Sequence, residues 1–383
     1  MAVPRERRGY PSTGSTLGLL QTALPPNLTF HGALSLLTYA AARATDRVEL
    51  KDWLWPSGMV LNTWAAFLAR KSIETPDSSV VDAFVGLPWP HKLLLTGVTA
   101  WGGRLFYRIV TRSIRRRQRQ RHLHDDPRYV AVKRESADDG FWTKALFSMF
   151  LPEAIFQSFI TLPFTLPFRF DADAVVPDGR ARGVGLAHYH HHHDIGPDPE
   201  QAEWFRALAV GLFCSGFALE VLADRQLDKH KDDGDNDNDE GSGSAGLVRS
   251  GVWSIVRHPN YLGDALIHLS FPSLLLSSSA TNYIHPLLTF LGPVANYVFL
   301  RHVGGDRQTE AYQKDQYNVA AQRGSTEAAV KLSDFEHYKT RQNSFWPKPD
   351  QVKNKWTWIV VGIGAVAAVV ERGIRGGQLP TTA

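Results

Sequence analysis

Apolar residues in this chain are bunched into blocks separated by long polar stretches. The clearest blocks are 145–168, 204–223 and 356–370. Their unbroken apolar character predicts helices that enter a bilayer rather than half-buried alternating strands. Shorter blocks at 92–110, 265–276 and 284–300 predict further spans, with weaker candidates at 28–42 and 59–69. Several are shorter than the ~20 residues of a straight crossing, so half-spans or tilted hairpin arms are expected among them. The expected fold is all-α, a polytopic transmembrane helix bundle of about six to eight spans with cytosolic loops. Residues 1–90 read as an N-terminal region with weak membrane segments, 91–370 as the main transmembrane domain and 371–383 as a polar tail. Low-complexity insertions are expected at about 171–200 and 230–246.

Charge orients this pattern. The net charge is only +4, but Arg112, Arg115, Arg116, Arg117, Arg119 and Arg121 cluster just after an apolar block. Basic residues at a span end favour the cytosolic side. The cluster has few interleaved aromatics and abuts a membrane segment, which sets aside nucleic acid as a partner in favour of membrane lipids. Counting crossings from it, 145–168 leaves the cytosol and 204–223 returns. Residues 250–264 and 301–355 then share the cytosolic side. Cys214 is the single cysteine, so an intrachain disulfide or a cysteine-based metal site is excluded. Pro25 and Pro26 break the stretch after the basic N-terminus, so no cleavable signal peptide is expected.

Two conspicuous runs carry little. His188, His190, His191, His192 and His193 lie in a Gly/Pro/Asp-rich loop and read as a tolerated low-complexity insertion, with no metal role expected. Asp235, Asp237 and Asp239 suggest a calcium loop, but its sixth position is Glu240 where glycine is required, and its twelfth is Gly246 where glutamate is required. That reading fails. No glycine-rich dinucleotide fingerprint or phosphate-binding loop occurs, so a nucleotide would be held without such a domain.

The chemistry concentrates in residues 250–264. Arg257, His258, Asn260 and Tyr261 fall within five positions. Pro259 disfavours helix for His258 and lacks an N–H, which predicts an extended Arg-His-Pro turn. Asn260 then reads as the N-cap of a helix starting at Tyr261, with Asp264 in its first turn. That helix start presents backbone donors and a positive dipole end to an anion beside Arg257 and His258. A capped helix with a snorkelling arginine would have the same sequence.

This segment resembles the C-terminal signature of the steroid 5-alpha-reductase-like membrane enzymes, in the branch named domain of unknown function 1295. Further matches occur in family order. They are Trp101-Gly-Gly-Arg104-Leu105, then Asp126-Pro-Arg128-Tyr129, then Gly216-Phe-Ala-Leu-Glu220 with Asp224, Gln226 and Leu227. Tyr338, Lys339 and Arg341, followed by Phe345 and Pro347, complete them. The resemblance covers roughly residues 90–350. It implies a helical membrane enzyme, most naturally of the endoplasmic reticulum, that binds NADPH from the cytosol. The enzyme would reduce a double bond of an apolar lipid or sterol-like substrate. Carried over residue by residue, it implies that Arg257, His258 and Arg341 neutralise the cofactor phosphates. Asn260, Tyr261 and Tyr338 would bond ribose and pyrophosphate, Trp253 would pack on a ring, and Gln226 and Lys229 would contact the adenosine end. Asp264 stands where relatives carry glutamate. A substrate-polarising acid is not marked by the resemblance. Glu153 is a physical candidate, because it lies in an apolar segment with Gln157 one turn later on the same face. Glu153 and Tyr261 are the expected catalytic pair.

Two other classes compete. Isoprenylcysteine carboxyl methyltransferases carry a similar Arg-His-Pro-x-Tyr-x-Gly and bind S-adenosylmethionine. Against that class, an acid (Asp264) follows Gly263, and the stretch from Gly304 to Glu310 holds one glutamate where that class has a pair. A non-catalytic scaffold or lipid-binding member is the third reading. The joint presence of Arg257, His258, Asn260, Tyr261, Tyr338 and Arg341 argues against it.

Overall fold

The computed structural model describes residues 16–119, 124–135, 140–169, 197–236, 247–278 and 286–378. Arg121, the histidines at 188–193 and residues 237–246 lie outside them. Regular structure among the described residues is helical, without strands. The chain divides into two compact units, Met1–Ala202 with Leu275–Gly292, and Glu203–Leu274 with Pro293–Ala383.

The first unit holds α1 (Thr16–Thr45), α2 (Leu50–Glu74), α3 (Val80–Val85), α4 (Trp89–Arg119), α5 (Pro127–Glu135), α6 (Phe141–Ala145), α7 (Leu151–Ile160) and α8 (Leu162–Arg169). Contrary to expectation, Pro25 and Pro26 lie inside α1. Each proline removes a single intrahelical donor, and neighbouring helices can meet the freed carbonyls. Gly102, in the Trp-Gly-Gly-Arg motif, lets α4 press on α2. A Cβ there would lie 2.3 Å from a Val60 methyl. The segment expected as one span at 145–168 is broken. A π-turn at Leu146–Phe150 precedes Pro152, and a 55° bend separates Phe141–Ile160 from Leu162–Arg169. Pro163 follows that bend, as expected where a helix loses a donor.

The Asp-Pro-Arg-Tyr motif of this unit is a structural clamp. Asp125 accepts the N–H groups of Val48 and Glu49, at 2.8 and 3.0 Å, closing the α1–α2 turn. Arg128 bridges Asp126 and Asp52, and the Tyr129 hydroxyl donates to Asp52 at 2.7 Å. Arg116, from the basic cluster, turns inward to Glu49 and Asp126. Burial pushes the Asp126 carboxyl up, but the hydrogen bonds and charge of Arg128 and the charge of Arg116 outweigh it and hold the group at about 2.

The second unit holds most of α9 (Pro199–Asn236), α10 (Pro259–Leu276), the end of α11 (Pro286–Val298), α12 (Asp306–Gln322), α13 (Thr326–Arg341) and α14 (Lys355–Gln378). α9 and α10 cross backbone to backbone. A Cβ on Gly216 would lie 2.4 Å from the Gly263 carbonyl oxygen, and one on Gly263 would lie 2.6 Å from that of Gly216. Leu219, Ala223, Val252, Ile255, Val256 and Val360 fill the core beside this crossing. α9 runs past the apolar block at 204–223 to Asn236, which places Glu220 and Asp224 in mid-helix.

Among the described residues two helices are long and apolar enough to cross a membrane, Pro199–His230 and Lys355–Gly377, and the bent pair Phe141–Ile160 with Leu162–Arg169 makes a third if taken as one span. These coincide with the three clearest apolar blocks. The other expected spans are helical but fall outside that measure. α11 is only 13 residues long, and α4 runs on through its arginines.

Candidate functional site

The Arg-His-Pro-Asn-Tyr turn lies in the second unit, and its backbone fixes the site. A short 3-10 turn, Gly251–Ser254, precedes it. The Arg257 and His258 N–H groups donate to the carbonyls of Asn343 and Ser344, both at 3.0 Å, tying the turn to the chain after α13. α10 begins at Pro259, two residues before the expected start. Proline suits the first helical position, since its missing N–H has no partner there in any case. His258 becomes the flanking residue, its carbonyl accepting from the Tyr261 and Leu262 N–H groups at 3.1 Å. Asn260 is therefore inside the helix and cannot cap it. Its Oδ1 is buried with no hydrogen-bond partner.

The hub of the site is Glu310, on α12. Arg257 donates from Nε and Nη2 to its two oxygens at 2.9 and 3.0 Å, a two-pronged match of guanidinium and carboxylate. His258 Nε2 lies 3.0 Å from Glu310 Oε1, and Tyr261 stacks on the imidazole with centroids 5.3 Å apart. The remaining Arg257 nitrogen donates to the Gln342 and Lys339 carbonyls. Burial raises the Glu310 pKa, but hydrogen bonds from His258 and Arg257, reinforced by their charge, bring it below the usual carboxylate value. The cluster is an ionised carboxylate gripping a guanidinium and an imidazole, each side chain only 10–12% exposed. The guanidinium expected to face cofactor phosphates is thus filled by a carboxylate of its own chain.

The other expected residues divide. Tyr338 is buried and donates to the Trp253 carbonyl, and burial pushes its phenol up. The Trp253 indole N–H donates to the Ala223 carbonyl at 3.2 Å. Gln226 Oε1 accepts from the Val252 N–H at 3.0 Å, against Gly251 at φ +67°. Gln226, Trp253 and Tyr338 therefore brace the turn with the polar groups expected to face a ligand. Lys229 and Arg341 are solvent-exposed and make no ion pair among the described residues. Asp264 is buried, its Oδ2 accepting from Asn296 Nδ2 at 2.8 Å. The Tyr261 hydroxyl is 3.4 Å from Thr309 Oγ1.

Glu153 belongs to the first unit, buried in a 3.0 Å ion pair with Lys51. Lys51, Glu153, Gln157, Ser35 and Phe150 line a narrow crevice with no room for a water molecule. Among the described residues no group of three His, Cys, Asp or Glu side chains is placed to hold a metal ion. Glu310 and Asn296 escape sequence reasoning, because each stands alone in its segment and acts across more than thirty positions. The single glutamate of the 304–310 stretch was the available signal for Glu310.

No curated protein and no solved structure matches the chain. Residues 38–177 and 183–323 match the family described as Protein of unknown function (DUF1295), which spans the turn, Glu310 and Glu153. The chain is an integral membrane protein of the DUF1295 family, the steroid 5-alpha-reductase-like branch.

Proposed function

We propose that this protein is a membrane oxidoreductase that reduces a double bond of an apolar lipid or steroid-like substrate by hydride transfer from NADPH. The observation that carries the proposal is the orphaned acceptor of Asn260 beside the rigid His258–Tyr261 stack. A buried oxygen without a donor is costly unless a ligand supplies one. A ribose hydroxyl or a carboxamide N–H fits that need. The donor set suits NADPH with an altered division of labour. Lys229 and Arg341, the exposed cations, meet its phosphates, while Arg257 and His258 shape the turn through Glu310. NADPH supplies the hydride when bound, and the chain positions it and keeps water away. Tyr261 orients the cofactor.

The cofactor site faces the cytosol in this reading, in the endoplasmic reticulum membrane. Differential labelling tests it. Full-length protein in detergent micelles is treated with a lysine- and arginine-directed reagent, with NADPH or S-adenosylmethionine present. Protection of Lys229 and Arg341 by NADPH alone is expected. Protection by S-adenosylmethionine alone would transfer the chain to the methyltransferase class.

A further inference from the structure

The reductase reading leaves unexplained a polar cluster deep in the second unit. Asn260, Asp264 and His268 recur at every fourth position of α10 and so share one face. The stripe runs about 12 Å along the helix from the turn at its start. His268 is 1% exposed, and Asn296 facing the stripe from α11 is fully buried. The cluster has a definite protonation geometry. His268 Nδ1 lies 2.9 Å from the Asp264 carbonyl oxygen, which can only accept, so Nδ1 carries a proton. Asp264 Oδ2 stands 3.5 Å from the same nitrogen, and the Asn296 amide holds that carboxylate. Nε2, the other ring nitrogen, is buried.

Its surroundings are aromatic. Phe271 meets the imidazole edge-on at 6.5 Å, Phe213 in turn meets Phe271 edge-on at 6.0 Å, and Phe213 stacks on Phe217. Asn296 Oδ1 is buried with no hydrogen-bond partner, so this amide is kept at a cost while its other end orients Asp264. Ionisable side chains in such apolar surroundings are expensive, and their presence points to function.

We infer that His268 is the proton donor of the reduction, with Asp264 and Asn296 as its positioning residues. The inference rests on the reductase reading. Hydride from NADPH adds to one carbon of the substrate double bond, and the π electron pair moves to the neighbouring carbon. That carbon takes the proton from Nε2 of the His268 imidazolium. The imidazole is left neutral, keeps its Nδ1–H on the Asp264 carbonyl, and regains a proton from solvent. The Asp264 carboxylate offsets the imidazolium charge in the loaded state.

The test uses membranes containing the full-length protein, incubated with NADPH deuterated at the transferable position, and mass spectrometry of all extracted lipids for one that gains deuterium. Wild type is expected to label such a lipid. His268→Gln should lower the labelling by about 100-fold or more while leaving NADPH affinity unchanged. In ¹⁵N-histidine spectra of the micellar protein, the His268 signal, identified by its loss in His268→Gln, should report the Nδ1–H tautomer. That preference should weaken in Asn296→Leu and Asp264→Asn, with smaller losses of labelling. Labelling by His268→Gln equal to wild type overturns the inference and leaves the reductase reading standing. An Nε2–H tautomer in wild type overturns it too. Absence of any deuterated lipid with wild type overturns the reductase reading, and the inference with it.

Discussion

Replacing Glu310 by glutamine tests the claim that this carboxylate holds the Arg-His-Pro-Asn-Tyr turn. Glu310 accepts from Arg257 at 2.9 and 3.0 Å and lies 3.0 Å from His258 Nε2. Glutamine keeps one carbonyl oxygen, loses the charge, and turns an N–H toward at least one donor. A charge-assisted hydrogen bond contributes roughly 1.5–3 kcal/mol, and leaving the guanidinium uncompensated adds to the loss. The bonds act as one unit, so their contributions do not simply add, and the expected cost is about 3 kcal/mol. The readout is local. The N–H groups of Arg257 and His258 are tied to the carbonyls of Asn343 and Ser344. Hydrogen–deuterium exchange of peptides covering 253–262 should therefore accelerate on the order of 100-fold in Glu310→Gln. Exchange in α4 should not change. Acceleration below about threefold at 253–262 would show that the backbone pairing, not the carboxylate, holds the turn.

Two further outcomes follow from the packing. Gly216→Ala forces a methyl to within 2.4 Å of the Gly263 carbonyl oxygen and should lower the thermal midpoint of the micellar protein by an amount set by about 1–3 kcal/mol of overpacking. Gly373→Ala, which meets nothing within 4 Å, is the control and should not shift it. Asp126 is held at about 2, well below the ordinary aspartate value. A depressed carboxylate stabilises the fold above its unfolded value and loses that contribution as pH falls through the folded one. Acidification from pH 5 to pH 2 should therefore remove roughly 2 kcal/mol that Asp126→Asn lacks at every pH. Parallel acid profiles of wild type and Asp126→Asn would contradict this.

Sequence legibility followed the range of the interactions. The apolar blocks at 145–168, 204–223 and 356–370 are local signals, and they became the segments apolar enough to span a bilayer. The Arg-His-Pro turn was legible because Pro259 restricts its neighbours. Its cap was misread, because Pro259 itself fits the first helical position and draws Asn260 into the helix. The partner of Arg257 was not legible. The pattern offers a guanidinium and an imidazole, which suit a phosphate as well as a carboxylate, and the carboxylate lies 53 positions away. Gln226 and Tyr338 were recognised as motif residues, but only packing shows that their polar atoms close on backbone groups of residues 252 and 253. The broken helix at 141–169 is also a product of context. Pro152 and Pro163 mark where it could yield, and neither fixes the 55° angle.

The central claim is that the second unit binds NADPH through the acceptor left open at Asn260. Equilibrium binding of NADPH to the full-length protein in micelles, compared with Asn260→Leu, tests it most directly. The account predicts saturable wild-type binding that S-adenosylmethionine does not displace, weakened about tenfold or more in the variant, as expected when a buried hydrogen bond to ligand is lost. Equal affinity in both proteins, or no binding at millimolar NADPH, would contradict it.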